Sequence, residues 1–495
     1  MSVRRWIECD RARRLALAAG VVLALAGCAS SEGIETRARP IAPASVGLGS
    51  GADVSAEPGF EPDWWSRFGD ASLTGLIERA LAGNPGLKGA QARVARADAL
   101  AALAGAASGP QVDASADATR QRYSENGVAP PPLGGSVRTV ANAQIGASWT
   151  LDFFGRNAAA IEAAVGARRA AQAEAQATRI ALAVDVARTW IRLARLVAQR
   201  EVATRTLAQR EEILDLIRRR VRGGLDTTVE LRQGEGALPE SRQRIEELDE
   251  QIVLARHALA ALAGRAPGAV GALAPRLESI RALDVPASIP AGLIGRRADI
   301  TAARWQVEAA GSEVEGARAQ FYPNIDLKAF AGLASLGLDR FVEAGSRQWG
   351  VGPAIRLPIF DAGRLRANLG VRTADLDAAI ERYNGAVVDA VRQAADQLSS
   401  LKSLEVQRVE QARAQSAAES AWSLAKQRYR AGLASYLVVL NAEATLLNQR
   451  RLAVDLQART LDAQIALIGA LGGGFRGETP GIAGSTNLSQ SGVAQ

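Results

Sequence analysis

Few residues in this 495-residue chain have side chains suited to catalysis or metal binding. The chain has one histidine, His257, and two cysteines, Cys9 and Cys28. Nucleophilic catalysis of the Ser/His/Asp type and zinc binding both need histidine or cysteine in defined constellations. His257 lies inside "VLARHALAALAG", which is typical of a solvated or groove-packed helical position. The sequence also lacks a glycine-rich phosphate loop, so we expect neither an enzyme nor a metal site.

The first thirty residues have the pattern of a targeting segment. Five arginines precede the apolar stretch "LALAAGVVLALAG", which ends in "LAGC" at Cys28. This ending resembles the lipobox at which bacterial lipoproteins are cleaved and then acylated on the new N-terminal cysteine. An ordinary signal peptide with a chance cysteine is the alternative. Ala29 follows the cysteine, where an Asp would favour inner-membrane retention, so the prediction is an outer-membrane lipoprotein with covalent lipid on Cys28 and no other cofactor.

Cysteine content, charge and hydropathy argue against thiol chemistry, nucleic-acid binding and transmembrane helices. Cleavage would remove Cys9 and leave no free thiol in the mature chain. The formal net charge of +7 would fall, since 54 basic and 50 acidic residues would remain. Charges of both signs are interspersed along helical stretches, so the basic balance does not indicate nucleic acid as a partner. After residue 30 the sequence has no apolar run of 18 residues, so no transmembrane helix is expected.

Two glycine-containing stretches indicate an internal duplication. "RVRGGLDTTV" contains Gly224, and "RYRAGLASYL" contains Gly432, 208 residues later. Gly155 and Gly363, in "FFGRNAAAIEA" and "FDAGRLRANLG", have the same separation. A glycine inside a helix costs roughly 1 kcal/mol, so a repeated glycine predicts a turn at each place. Each half of the chain therefore reads as a helix–strand–strand–helix–helix unit.

Four segments alternate apolar and polar residues with a period of two. They lie at about 110–123, 138–152, 323–335 and 346–359. Ten-residue segments with one apolar and one polar face are typical of transmembrane barrel strands. A half-buried soluble sheet is the alternative, although such a sheet needs an apolar cover and the rest of the chain reads as helix.

The remaining segments predict long helices. Gly155–Val221 and Gly363–Tyr429 each span 67 residues without proline, which would be roughly 100 Å of helix. The other predicted helices are Leu225–Gly264, Leu433–Gly472, Ile300–Gln320 and one around Ser72–Ala107. Apolar residues recur at spacings of three and four, as in coiled-coil seams.

These elements divide the chain into consecutive regions. We predict a signal peptide at 1–27, an extended lipidated segment at 28–71, a first repeat at 72–264, an equatorial connector at 265–295, a second repeat at 296–473 and a flexible tail at 474–495. Trp64 and Trp65 are expected to pin the N-terminal segment to the helices.

The ordered motifs of the chain resemble the outer membrane factor family, the TolC- and OprM-like exit ducts, in its lipoprotein branch. The resemblance rests on "PDWWSRFGDASLTGLIERAL", "IPAGLIGRRADITAARWQVEAA", "FYPNIDL", "LPIFDAGRLRA" and "RYRAGLASYLVVLNAE". It implies a mainly α fold with a transmembrane β-barrel portion. Three chains would form a 12-stranded barrel and a 12-helix α-barrel tunnel.

The resemblance also implies function and site residues. The chain would be the outer membrane exit duct of a tripartite, RND-type efflux pump, passively conducting small molecules such as drugs from periplasm to exterior. Its partners would be a periplasmic adaptor, an inner-membrane RND-type transporter and outer membrane lipids. The implied gate residues are Arg428, Tyr429, Leu437 and Asn441. The implied adaptor-contacting tip residues are Gly224, Leu225, Gly432, Leu433 and Ala434.

The chain departs from the family pattern at three positions. Asn441 replaces an acid that forms a negative ring in relatives, while Ala298 and Trp305 replace a proline and an acid at the start of a helix.

The competing functional class is a structural periplasmic helical lipoprotein without a channel. It would explain the long helices and the lipid anchor but not the four amphipathic strands.

Overall fold

A computed structural model describes residues 31–42, 45, 60–271, 273–283 and 297–477. The predicted signal peptide, Cys28, the connector beyond residue 283 and the tail beyond residue 477 lie outside these residues. Within them the chain is mainly helical. No helix of the described part is both long and apolar enough to cross a membrane.

Helices and strands follow one another in the duplicated order that the sequence predicts. In chain order they are α1 (Ala71–Gly83), α2 (Pro85–Ala107), β1 (Gln111–Arg122), β2 (Val137–Leu151), α3 (Arg156–Arg222), α4 (Thr228–Leu262), α5 (Ala298–Ala319), β3 (Asn324–Leu336), β4 (Arg347–Arg356), α6 (Arg364–Arg430) and α7 (Tyr436–Ala470). Short 3₁₀ segments lie at Trp64–Phe68, Pro267–Val270, Leu277–Ser279 and Ala344–Ser346. The chain divides into two compact units, and α2, α3, α5 and α6 each contribute residues to both.

The first unit contains the four-stranded sheet and comprises residues 31–40, 94–171 and 303–383 of the described chain. The strands are antiparallel in the order β1-β2-β3-β4. Asp117 pairs with Asn142, and Asn142 pairs with Ala334, so these residues share one face. Ala116, Ala143, Leu333 and Arg347 form a row on the opposite face. This register puts most of the polar residues of the four alternating segments on the same side of the sheet.

Helical segments of the first unit pack through small residues and rings. Gly166 of α3 lies so close to Ala309 of α5 that a Cβ there would be 3.0 Å from the alanine Cβ. The Arg169 guanidinium carbon lies 4.4 Å from the centroid of the Trp305 ring. Trp305, where the family commonly has an acid, thus contributes a cation–π contact within this unit.

The second unit comprises the described residues within 41–93, 172–302 and 384–477, and it contains the larger apolar core. Trp64 and Phe68 are fully buried, and Trp65 is nearly so. The Trp190 indole Nε1–H donates to Asp70 Oδ2 at 2.8 Å. The other carboxylate oxygen of Asp70 accepts from the backbone of Ser72 and Leu73, which caps α1. The tryptophan pair therefore anchors the N-terminal segment in the core.

Four boundaries differ most from the sequence prediction. The helix predicted around Ser72–Ala107 is two helices, because Asn84 has extended backbone (φ −64°, ψ 123°) immediately before Pro85. A residue that precedes proline is sterically driven out of the helical region. Strand β4 ends at Arg356, short of the predicted 359, because Arg356 pairs with Asn324, the first residue of β3. The helices predicted to start at Leu225 and Leu433 begin at Thr228 and Tyr436, after their turns.

Candidate gate at the helix turns

The first turn, residues 223–227, joins α3 to α4 in the second unit. Gly224 has φ 73°, which favours glycine because other residues have a Cβ penalty there. Its N–H donates to Val221 O at 3.0 Å, and the Leu225 N–H donates to Arg220 O at 2.9 Å. These two bonds close the last turn of α3 in the manner of a Schellman motif.

Thr227 begins the returning helix with a complete cap. Its hydroxyl oxygen accepts from the Val229 N–H at 3.2 Å. Glu230 Oε2 accepts from the Thr227 N–H at 2.9 Å, which completes a capping box. The Thr227 hydroxyl also donates to Glu230, and this hydrogen bond lowers the pKa of the Glu230 carboxyl. The start of α4 is thus satisfied by residues of the first turn itself.

The second turn, residues 431–435, has the same backbone. Gly432 has φ 76°, the Gly432 N–H donates to Tyr429 O at 3.0 Å, and the Leu433 N–H donates to Arg428 O at 2.8 Å. Its cap differs, because Ser435 occupies the N-cap position of α7 without a side-chain cap hydrogen bond. The first turn of α7 therefore lacks the support that Thr227 and Glu230 give to α4.

A buried polar cluster, formed by Arg220, Asp226 and Tyr429, links the two turns. Arg220 Nε and Nη2 donate to the two oxygens of Asp226 at 2.9 and 3.1 Å. Arg220 Nη1 donates to Tyr429 O at 3.0 Å, and its Cζ lies 4.6 Å from the Tyr429 ring centroid. The Tyr429 hydroxyl donates to Asp226 Oδ2. Side-chain exposure is only 12% for Arg220 and 7% for Asp226, so this charge pair is largely withdrawn from water.

Burial and charge also explain the pKa values in this cluster. The pKa of Tyr429 is raised strongly, first by burial and then by its hydrogen bond to the Asp226 carboxylate. The hydrogen bond to Asp226 raises the pKa of Arg220. Both shifts keep the proton donors of the cluster protonated at any physiological pH.

Apolar side chains of α3, α6 and α7 surround the polar cluster. The set is Ile213, Ile217, Ala425, Tyr429, Tyr436 and Val439. The Tyr429 and Tyr436 ring centroids are 5.9 Å apart. These contacts exclude water from the hydrogen bonds of Tyr429, which strengthens them.

A second buried ion pair lies farther along the same helices. Arg210 Nε lies 3.2 Å from Glu443 Oε2, and side-chain exposure is 12% for Arg210 and 3% for Glu443. Arg210 Nη1 also donates to Ala237 O and Ser241 Oγ, both at 3.0 Å. Burial raises the pKa of Glu443, although Arg210 opposes the shift. A cavity of about 400 Å³ next to the pair is lined by Gln199, Thr206, Ser241 and Asn448 among others.

The structure divides the predicted gate residues into two groups. Tyr429 is buried between the helices, whereas Arg428, Leu437 and Asn441 are exposed, Leu437 by 54%. Leu437 and Asn441 lie four residues apart on α7, which puts them on one helix face. The opposite face of α7 holds the buried Tyr436 and Val439. The chain thus presents Leu437 and Asn441 outward and uses Tyr429 internally.

The predicted tip residues lie at the exposed ends of the turns. Leu225 and Leu433 are 69% and 70% exposed, Gly224 and Gly432 are exposed, and Ala434 is half-buried. Two large apolar side chains are therefore held in solvent at equivalent positions of the two turns.

Sequence reasoning missed Arg220, Asp226, Arg210 and Glu443. Alignment of the two turn sequences could have indicated Asp226, because Asp226 and Glu230 fall opposite Ala434 and Val438. This difference shows that only the first turn has an acid and a capping box. It does not show that Tyr429 reaches across to Asp226, because that contact joins residues 203 positions apart.

The polar face of the sheet is a second candidate region, in the first unit. Gln348 Nε2 donates to Asn142 Oδ1 at 2.9 Å, and Thr150 Oγ1 donates to Asp326 Oδ1 at 2.7 Å. Phe330 covers Gly350, where a Cβ would meet the phenyl ring at 2.6 Å. This face offers a hydrogen-bonded polar surface suited to contact with water. Among the described residues, no group of His, Cys, Asp and Glu is arranged to hold a metal ion.

Known proteins resemble the chain over most of its length. The sequence profile described as "Outer membrane efflux protein" matches residues 76–265 and 290–473. The fusaric acid resistance protein FusA of Burkholderia cepacia is 36% identical over 367 residues, which cover 73% of this chain and 69% of FusA. The putative multidrug resistance outer membrane protein MdtQ of Escherichia coli K12 is 32% identical over 469 residues, covering 92% of this chain and 97% of MdtQ.

A solved structure gives the same result at the level of the fold. The outer membrane protein VceC of Vibrio cholerae superposes with a TM-score of 0.80 and 36% identity, covering 84% of this chain and all of VceC. The profile match spans both duplicated halves, with the glycine turns at residues 224 and 432 inside it. The chain belongs to the outer membrane efflux protein family.

Proposed function

We propose that the chain is the outer membrane exit duct of a tripartite efflux pump, through which small molecules such as drugs pass passively from periplasm to exterior. Its role is conduction rather than catalysis. Relatives named for resistance to fusaric acid and to multiple drugs support an export role.

The single observation that carries this proposal is the open four-stranded sheet. In the described part of the chain, β1 and β4 each pair with one neighbour, so both edges of the sheet are free. Lipid does not tolerate open sheet edges, and single-chain transmembrane barrels start at about eight strands. Association of three chains would close a 12-stranded barrel with the polar faces lining a pore. The helices of the three chains would continue it as a 12-helix tunnel in the periplasm.

The exposed side chains of α7 support a gate in that tunnel. Leu437 and Asn441 share a face that the chain itself leaves uncovered. In a trimer, three copies of this face would meet near the symmetry axis, with Leu437 as an apolar plug. Asn441 could hydrogen-bond across the axis without charge. Arg428, exposed beside the second turn, and the buried Tyr429 would complete the gate.

The exposed turn tips support docking of a periplasmic adaptor. Leu225 and Leu433 present apolar side chains at equivalent positions, next to Gly224, Gly432 and Ala434. Exposed apolar side chains grouped at one end of an element are typical of interaction sites. The adaptor would connect the duct to an inner-membrane RND-type transporter that supplies substrate and energy, and lipid on Cys28 would anchor the chain in the outer membrane.

Purification of the detergent-extracted protein tests the duct. We expect a mass of three chains, a β contribution in circular dichroism, heat-sensitive mobility on gels and ion conductance in planar bilayers. A monomer without conductance would instead support the structural lipoprotein.

Substitution of the exposed α7 face tests the gate. Leu437→Ser combined with Asn441→Gly should increase bilayer conductance and the entry of a large antibiotic such as vancomycin into cells. Leu452→Ser is a matched control on α7, since Leu452 is also exposed but lies 15 residues beyond Leu437, roughly 22 Å farther along the helix. Unchanged conductance in the double variant would contradict the gate assignment.

A further inference from the structure

The apolar face of the sheet carries charge at one end only. Its charged residues on the strands are Arg120 and Arg122 of β1 and Arg347 of β4. The row Ala116–Ala143–Leu333–Arg347 runs across all four strands. Since side chains alternate between faces, Arg120 and Arg122, four and six residues beyond Ala116, lie on the same face as Arg347. No strand residue of this face is acidic.

All three arginines lie next to the loops that connect the strands, away from the helices. Arg122 ends β1 before the 123–136 loop, and Arg347 begins β4 after the 337–346 loop. Most of the remaining residues of this face are apolar, and its exposed apolar side chains include Val112, Ile145, Trp349 and Val351. The face therefore consists of an apolar band bordered by cations at its loop end.

These arginines have guanidinium groups available for a ligand. All three are exposed. Within the part of the chain that the structure describes, the side chains of Arg120 and Arg347 form no ion pair. Arg122 Nη2 contacts Glu125 Oε1 at 3.0 Å, in a pair exposed on both sides, and an exposed pair of this kind is weak. Arginine binds phosphate in a bidentate manner and reaches the headgroup level from an apolar surface.

We propose that Arg120, Arg122 and Arg347 form a cationic rim that binds the phosphate groups of anionic lipid in the outer leaflet. The proposal rests on the proposed function, in which the apolar face contacts lipid and the loops face outward. Three cations on a face whose strand residues include no acid complement a phosphorylated glycolipid rather than a zwitterionic headgroup. In a closed barrel, β4 of one copy would lie beside β1 of the next, so the rim would repeat around the circumference.

Lipid binding to the full-length, detergent-purified oligomer tests the rim. Native mass spectrometry would count bound diphosphoryl lipid A, its monophosphoryl form and phosphatidylcholine. For the wild type, we expect affinity to decrease in that order. The triple variant with Arg120→Gln, Arg122→Gln and Arg347→Gln should bind diphosphoryl lipid A with lower affinity, by about fivefold for each arginine removed. The corresponding Lys variants should retain most of the binding.

A matched variant removes three cations from the polar face instead. Arg138, Lys328 and Arg356 lie on that face by the same register, and their combined change to Gln should leave lipid A binding unchanged. Equal losses in both triple variants, or no loss in the rim variant, would overturn the proposal. Bilayer conductance of the same samples separates the two ideas: a non-conducting wild type refutes the duct, whereas a conducting wild type with an ineffective rim variant refutes only the rim.

Discussion

The two helix turns share one backbone and differ in the side chains that hold it. Gly224 and Gly432 have φ values of 73° and 76°, and each turn closes its helix with equivalent hydrogen bonds. Only the first turn has its own acid, Asp226, and a capping box. At the equivalent positions the second turn has Ala434 and Val438, and Ser435 makes no side-chain cap.

The difference shows that the first turn supports the second. Tyr429 donates to Asp226, and its carbonyl oxygen accepts from Arg220, so the second turn is fixed by residues of the first. Loss of that link would leave the first turn with its cap and the second with backbone bonds alone. Within the proposed duct, we therefore expect the start of α7, which carries Leu437 and Asn441, to open at lower cost than the start of α4.

Removal of Asp226 should have the largest effect on this asymmetry. Asp226→Ala leaves the Arg220 guanidinium largely buried without its counter-ion, which costs about 3 kcal/mol or more. We expect faster amide hydrogen exchange at residues 428–440 and higher bilayer conductance. Asp215→Ala is the control, because Asp215 pairs with Arg218 and Arg219 in exposed i,i+3 and i,i+4 pairs, worth about 0.5 kcal/mol or less. Equal exchange rates at residues 428–440 in both variants would show that the stability of the second turn does not depend on the first.

Substitution of the two turn glycines should have smaller and matched effects on stability. A Cβ at Gly224 would meet nothing within 4 Å, and one at Gly432 would meet only Arg220 Nη1, at 3.9 Å. Gly224→Ala and Gly432→Ala should therefore each cost about 1–2 kcal/mol through backbone strain alone, measured by local hydrogen exchange. Because only the second turn precedes the proposed gate, Gly432→Ala alone should raise conductance. A rise in both variants would remove the functional distinction between the turns.

Much of the fold was accessible from the sequence because its signals are local and repeated. The period-two segments, the long proline-free helices and the glycines at residues 224 and 432 each depend on neighbouring residues. Two of the boundaries that differed have equally local causes, in Pro85 and in the cap at Thr227, and they required attention to the residue before a proline and to the N-cap.

The candidate site was less accessible, because burial depends on contacts between distant residues. The sequence singled out Leu437 and Asn441 through a family resemblance, and their exposure agrees with a role at a surface. It gave no indication that Tyr429 is buried against Asp226, or that Glu443 is buried against Arg210. Both contacts depend on the relative rotation of α3, α6 and α7, which periodicity does not determine.

The caps offer a finer test of the same asymmetry. Thr227→Ala should destabilise the start of α4 by about 1 kcal/mol, because the Val229 N–H loses its acceptor. Ser435→Ala should change the start of α7 by only a few tenths of a kcal/mol, since the serine side chain makes no cap. Hydrogen exchange of the two helix starts measures both. A Ser435→Ala effect as large as that of Thr227→Ala would mean that the serine caps α7 in the assembled protein.

The smallest expected effect is a pH dependence of local stability in α7, the helix that follows the second turn. Glu235 and Glu443 occupy equivalent positions, but only Glu443 is buried, with Arg210, Glu240 and Tyr436 as its ionisable neighbours. Burial raises the pKa of Glu443 in the folded state, so folding favours its protonated form. Stability at this site should therefore fall as pH rises from the ordinary glutamate range, about 4.3, through the raised pKa, and then level off. Hydrogen exchange at residues 436–448, measured across that range, should show this fall in the wild type and in Glu235→Gln but not in Glu443→Gln. Persistence of the fall in Glu443→Gln would assign it to another group.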